Sequence, residues 1–336
     1  MMKILFVSAD SPVNRHIEKA FKQHDAEVFR FNERINTFLP SFLSQNKLAW
    51  SLLKRFSRLK GINNKRWNKR LISFCEKVKP DFLFTTKGVI IYPETLVKIK
   101  AMGTTLINWF YENVDHPNYN RWFLKAHHYY DHFFNYDPAI TDKFGSGNLK
   151  YLPVAVNPDY YRVSDLSQKD KEFYSCDVCF VGALYPEREK LLSEVKKLGV
   201  NLKIFGWKDW FNTSLAENYC GPLLSTEKIA KAYSLSKISL NSNLQPQNGG
   251  VNLKTFEIPA AGGFQLSDSQ PELKNILQPG KEVETYKTPG ELLDKIMFYL
   301  SNEEKRKEIA LAGYQRILQD HTINHRVKTI LDTIKT

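Results

Sequence analysis

The sequence predicts an α/β protein built as two parallel-sheet units in tandem. Short apolar runs alternate with amphipathic helical stretches along most of the chain, and strands that alternate with helices indicate parallel sheets. The rhythm runs once through residues 1–150 and again through 151–336, as a length of 336 residues allows at roughly 150 residues per domain. Charge changes at the same place. Residues 1–150 hold 24 Lys and Arg against 13 Asp and Glu, whereas residues 151–336 hold 24 against 23. Most of the net charge of +12 therefore belongs to the first half.

The first half opens with "KILFVSA" as a strand, then a helix over 13–24 and the strand "AEVFRF". The opening run reaches Asp10 too soon for a signal peptide, and no run approaches the ~18 apolar residues of a spanning helix. A cytoplasmic protein is expected. A helix over 62–79 and the strand "DFLFTTKG" follow, then a helix near 93–102, "TTLINWFYE" and "HFFNYD", with "LKYLPVAV" closing the half. In the second half "DVCFVG" is a strand, 186–198 a helix, "NLKIFGW" a strand, 225–235 a helix and "ISLNSN" a strand. "GFQLSD" and helices near 289–301 and 303–318 complete it. Two such units read as Rossmann-like domains facing across a cleft, with ligands beyond the carboxyl ends of the strands. "VSADSPVN" follows the first strand in place of G-x-G-x-x-G, which argues against a dinucleotide-dependent dehydrogenase.

One segment breaks the rhythm. Between Glu33 and Glu76 there is no acidic residue, while residues 34–75 carry ten basic ones interleaved with Phe38, Phe42, Trp50, Phe56 and Trp67. A basic amphipathic insert at 34–70 suits an anionic membrane surface or an anionic acceptor. The plainer reading is a solvated helix whose apolar face packs on its own domain. No zinc-finger, RRM or KH signature accompanies the charge, so nucleic acid is not expected.

The four cysteines, Cys75, Cys176, Cys179 and Cys220, lack framework spacing and indicate a reducing compartment. Cys176 and Cys179 open an apolar run and read as buried. His128 and His132 are four apart, but the segment passes from helix to strand between them, so no metal site is expected. Asp320 is placed to cap a last helix.

The chemistry gathers in "NGGVNLKTFEIPAAGG". Glu257 stands between Phe256 and Ile258, with Lys254 one helical turn before it. A buried carboxylate must be paired or hydrogen-bonded, and two acceptor oxygens without a donor suit a ribose diol. Asn248, Gly249 and Gly250 leave backbone N–H groups uncovered. A helix beginning near Asn252 would turn them toward an anion such as a diphosphate, with Val251, Asn252 and Thr255 lining the approach. Pro259 shortens or kinks that helix. The alternative is an Asn-capped helix with Lys254 and Glu257 paired at i,i+3. Gly182 ends the first strand of this half, and the turn into "PEREK" places Arg188 and Lys190 at the same sheet edge. In the first half, "INWFYENVDHPNYN" supplies Glu112, Asp115 and His116 after a strand, where Asp115 or His116 would take a proton from an acceptor hydroxyl or bond the sugar. A polar loop is the alternative there.

"FVGALYPEREKLL", "NLKIFGW", "AYSLSKISLN", "GGVNLKTFEIPAAGGFQLSD" and "RKEIALAGYQRILQDHTINHRV" resemble the C-terminal domain of GT-B glycosyltransferases, in the CgeB-like or group 1 branch. The resemblance covers about residues 175–330. It implies an N-terminal acceptor domain over 1–155 and a nucleotide-sugar domain over 156–318. A C-terminal helix over 319–336 crosses back to the first domain, and a hinge lies near 154–161. It further implies transfer from a nucleotide-diphosphate-sugar to a glycan, lipid-linked or protein acceptor, retaining, with no metal and no cofactor beyond the co-substrate. Glu257 falls where such enzymes hold the donor ribose. Related families place a second glutamate eight positions earlier, where this chain has Gly249, so sugar contacts fall to backbone amides or to Asn248 and Asn252. A retaining enzyme needs no protein nucleophile when the leaving diphosphate, stabilised here by Arg188, Lys190 and Lys254, assists the attack. The departure at Gly249 favours one rival, a non-catalytic nucleotide-sugar-binding protein. A second, a nucleotide-sugar epimerase, needs acid–base residues on both faces of the sugar, and only the cluster around Glu112–His116 offers them.

Overall fold

A computed structural model describes residues 1–33, 57–145, 147–243 and 250–335. Contacts divide the chain into two units: Met1–Pro153 together with Arg326–Thr336, and Val154–His325.

The first unit is a six-stranded parallel sheet of β1 (Met2–Ser8), β2 (Ala26–Asn32), β3 (Phe82–Thr86), β4 (Thr105–Phe110), β5 (His132–Asn135) and β6 (Leu149–Tyr151). Their order is β2-β1-β3-β4-β5-β6. A parallel sheet covered on both faces needs strands that are apolar throughout. Ile4, Leu5, Phe6 and Val7 of β1 are accordingly all buried. The chain leaves β1 to one side for β2 and then returns to pair β3 on the other, so the strand order reverses between β1 and β3. Open α/β sheets bind ligands beyond the carboxyl ends at such a point.

The helix Ser57–Val78 covers one face of this sheet, sinking Trp67, Leu71 and Cys75 into the core at helical spacing. Lys65, Arg66, Lys69 and Arg70 are left exposed on its outer side. This is the packing of the plainer reading for the described part of the basic stretch. Residues 34–56 of that stretch lie outside the described residues.

The second unit has five parallel strands, β7 (Cys176–Val181), β8 (Leu202–Phe205), β9 (Ser236–Asn241), β10 (Gln265–Asp268) and β11 (Glu284–Tyr286), in the order β11-β10-β9-β7-β8. Its order reverses between β7 and β9. Cys176 and Cys179 are buried in β7, in an apolar cluster that Cys220 joins.

Several sequence expectations shift. "LKYLPVAV" yields a strand only at Leu149–Tyr151, because Pro153 cannot donate to a ladder. Val156 instead makes an isolated bridge to Thr322. Asp320 does not cap the last helix. It closes the helix Glu303–Asp320, paired with Arg316, and the Thr322 hydroxyl accepts from the His325 N–H at 3.3 Å at the start of the helix Ile323–Lys335. Short helices over Asn120–Ala126, Pro138–Phe144 and Gln168–Tyr174 arise where no apolar periodicity announced them. The last two begin at polar caps, Asp137 and Ser167.

Candidate active site

The reversal between β7 and β9 is where the second unit's polar groups converge. The helix Pro186–Lys197 starts there with Pro186 in its first turn and buries Arg188, Leu192 and Val195 along one stripe. Arg188 thus occupies a core-facing position and is 5% exposed. Its Nη1 donates to the Ala183 carbonyl at 3.1 Å, beyond β7, and its Nη2 to the Ser242 carbonyl at 2.8 Å, beyond β9. One guanidinium therefore ties together the two loops that flank the reversal. It lies 5.4 Å from the Phe180 ring centroid and 5.2 Å from that of Tyr185. Burial lowers its pKa, against a smaller raising influence from Tyr185. Lys190 stands two residues on, about 200° around the helix, and is exposed, so the structure does not bring it to Arg188.

Gly182 follows β7 directly. A Cβ there would come 2.9 Å from the Phe180 ring and 3.3 Å from Arg188 Nη1. The missing side chain is what lets the guanidinium settle against the strand end.

The helix carrying Glu257 is short, Lys254–Ala260, beginning two residues later than the expected Asn252. Thr255, Phe256, Ile258, Pro259 and Ala260 are buried, which leaves Lys254 and Glu257 on the half-buried face. Pro259 sits near the end, and Gly262, in the left-handed region at φ 73, turns the chain away. Gly250 and Val251 are buried ahead of it, while Asn248 and Gly249 lie outside the described residues.

Asn252 is held rather than free. Its N–H donates to Asn243 Oδ1 at 3.0 Å and its Nδ2 to Asn241 Oδ1 at 2.9 Å, and its Oδ1 accepts from the Thr255 N–H at 3.3 Å. Asn241 Nδ2 meets the Thr255 hydroxyl at 3.3 Å. Asn243 in turn donates twice to Asp268 Oδ1, at 2.9 and 2.8 Å. This chain of amides fastens the loop before the helix to the ends of β9 and β10. Sequence reasoning missed Asn241, Asn243 and Asp268, although "ISLNSN" and "GFQLSD" show polar residues where apolar strands end.

Lys254 and Glu257 do not form the i,i+3 pair. Glu257 Oε1 accepts instead from the hydroxyl of Tyr161, 2.6 Å away and 96 residues earlier in the chain. Among the described residues Oε2 takes no hydrogen bond, and neither does Lys254 Nζ. Burial raises the Glu257 pKa, while the Tyr161 hydrogen bond and then Lys254 pull it back. Burial, with Arg188 adding to it, pushes Lys254 down to about 8, and Glu257 opposes. Two partly desolvated groups of opposite sign thus stand near each other without joining, as at a site that awaits a ligand of mixed charge and hydroxyl character.

In the first unit, Asn14 Oδ1 accepts from the Thr86 hydroxyl at 3.0 Å and from Tyr111 OH at 3.2 Å, and Asn14 Nδ2 donates to the Ala9 carbonyl at 2.8 Å. It thereby links the carboxyl ends of β1, β3 and β4. Glu112 is ion-paired with Lys87, a residue at φ 67 that sequence reasoning passed over. Asp115 meets Lys143 at 3.3 Å. His116 is exposed, and its Nδ1 accepts from the Asn118 N–H at 3.2 Å. Glu112, Asp115 and His116 thus follow one strand end, as expected, but both carboxylates already hold a lysine.

Known proteins share this fold. Residues 188–332 match the family described as "Glycosyl transferase-like". The chain is 21% identical to the spore protein CgeB of Bacillus subtilis (strain 168), over 74% of this chain and 81% of CgeB. Sucrose-phosphate synthase from Thermosynechococcus elongatus superimposes with a TM-score of 0.71 at 10% identity, covering 100% of this chain and 98% of that one. The chain has the two-domain GT-B fold. Anabaena HepE, solved with UDP and glucose, superimposes with a TM-score of 0.67 at 12% identity, with both chains fully covered. Among the described residues, no helix is long and apolar enough to cross a membrane, and no group of three or more His, Cys, Asp or Glu is arranged to hold a metal ion.

Proposed function

We propose that the second unit binds a nucleotide-diphosphate-sugar and that the enzyme transfers its sugar to an acceptor held by the first unit. The observation that carries this is the open arrangement of Glu257 and Lys254 beside Arg188 at the strand-order reversal. The ribose hydroxyls donate to the Glu257 carboxylate, and the diphosphate faces the Lys254 ammonium. Arg188 acts through its charge and by fixing the two loops, with one N–H of each Nη given to a loop carbonyl. Backbone amides of Gly250 and Val251 complete the donor side. Binding of UDP and UDP-glucose by the HepE neighbour supports a nucleotide-sugar donor.

Positive side chains so placed stabilise the charge that develops on a departing diphosphate, a role that needs no divalent ion. Retention then follows from diphosphate-assisted attack without a protein nucleophile. On the first unit, His116 serves as proton acceptor, because Glu112 and Asp115 are each engaged with a lysine. The acceptor is a glycan, lipid-linked sugar or protein. Thermal-shift screening with UDP-, GDP-, TDP- and CMP-sugars tests the donor assignment, since a ligand well above its dissociation constant raises stability. The Glu257→Ala variant is expected to weaken donor binding by about 1.5–3 kcal/mol in calorimetry. Unchanged affinity with an intact fold removes Glu257 from the site.

The exposed row of Lys65, Arg66, Lys69 and Arg70 supports a second element of the reading, peripheral contact with an anionic surface at the inner face of a membrane.

A further inference from the structure

We propose that Tyr161 is a positioning residue of the donor site: by holding one oxygen of Glu257, it keeps the carboxylate apart from Lys254 and turned to the 2′-hydroxyl of a ribonucleoside diphosphate. The inference rests on the donor-site reading above and names the class of nucleotide it admits.

The geometry is specific. Tyr161 follows the turn Pro158–Tyr160, its N–H bonded to the Pro158 carbonyl at 2.9 Å, and the residue is 6% exposed. Its hydroxyl reaches Glu257 Oε1 at 2.6 Å, a separation proper to a charge-assisted O–H···O⁻ bond. The phenol is the donor, because burial and the nearby carboxylate hold its pKa far above the ordinary value.

Without that bond, Glu257 and Lys254 are neighbours at i,i+3 on one short helix, and opposite charges at that spacing attract. A closed pair would occupy the ribose acceptor and the diphosphate cation together. Tyr161 is fixed from outside the helix, so it can oppose that closure. The groups that act on Glu257 from the described elements are Tyr161 from the preceding loop, Lys254 from its own helix, and Tyr233 from the helix Thr226–Leu235. Among the described residues the buried Tyr233 hydroxyl makes no hydrogen bond, so it does not replace Tyr161.

Calorimetry on the full chain with UDP and GDP, each beside its 2′-deoxy counterpart, tests the proposal. Wild type is expected to bind the ribose form about tenfold more tightly than the deoxy form, the value of one hydrogen bond to a charged group. Tyr161→Phe keeps the ring and should weaken the ribose form by about tenfold, the deoxy form much less, so that the ratio falls toward one. Equal weakening of both forms, or an unchanged ratio, makes Tyr161 a packing residue and overturns the proposal. Loss of binding in Glu257→Ala alongside an unchanged ratio in Tyr161→Phe leaves the donor reading standing and removes only this inference. Failure of wild type to bind either nucleotide removes this inference, and failure across the whole nucleotide-sugar panel removes the donor reading as well. Should Tyr161→Phe not fold, selective 13Cζ labelling of Tyr161 in wild type decides: its shift should follow the ionisation of Glu257, and a shift indifferent to it overturns the assignment.

Discussion

On the proposed donor-site reading, Lys254 is tuned for a ligand at the expense of the empty fold. Its ammonium is desolvated and faces Arg188, which brings the pKa to about 8 from an ordinary 10.5. Protonated Lys254 therefore costs stability in the ligand-free protein. Folding stability should rise as pH climbs from about 8 through that ordinary value, because the unfolded chain then binds the extra proton. Diphosphate binding has the opposite sign, since it needs the ammonium. Affinity for a nucleoside diphosphate is expected to fall several-fold from about pH 7 to about pH 9.5, and calorimetry across that range checks it. Lys254→Met should lose most of the affinity yet stabilise the empty protein by about 1–2 kcal/mol in urea melts, the usual conflict between site and scaffold. A destabilised Lys254→Met would mean that the ammonium is satisfied in the free protein.

At the scale of elements, the sheet's carboxyl edge in the second unit depends on two strand-following glycines meeting. A Cβ on Gly206 would lie 2.2 Å from the Gly182 carbonyl and 2.8 Å from Trp210 Nε1. That same Nε1 donates to Gly182 O at 2.8 Å, so an added methyl would displace the bond that closes this edge. Gly206→Ala is expected to destabilise by about 1–3 kcal/mol, the range for overpacking. It should also weaken donor binding, because the Gly182 segment seats Arg188. Urea denaturation and nucleotide titration on the one variant separate the two effects. An unchanged urea midpoint would show that the edge yields without cost.

At the scale of the molecule, the charge imbalance between the halves is the largest electrostatic feature. Lys65, Arg66, Lys69 and Arg70 present part of it on the outer side of one helix, beyond any demand of the core. Replacing the four with glutamine should leave nucleotide binding unchanged while lowering flotation with vesicles rich in anionic lipid. Flotation of wild type should weaken as salt is raised. Wild type that does not float at low salt ends the membrane reading and leaves the basic face to an anionic acceptor.

The chain's local pattern was enough for the α/β class, the two sheets and most helices, because short continuous apolar runs and burial at period 3.6 are written into neighbouring residues. It also marked Glu257 and Lys254, whose charges interrupt a stretch that otherwise belongs inside, and Arg188, which opens the helix after β7. The local pattern did less well where a strand's end or a helix's start turned on a single residue, as at Pro153 and Thr322. What only tertiary structure decided was partnership. Tyr161 meets Glu257 across 96 residues, Arg188 Nη2 meets the Ser242 carbonyl across 54, and Asn252 hangs between Asn241 and Asn243. No periodicity encodes such pairs. They exist because a parallel sheet brings its strand ends to one edge whatever their distance in sequence, and there the polar groups satisfy one another or wait for a ligand.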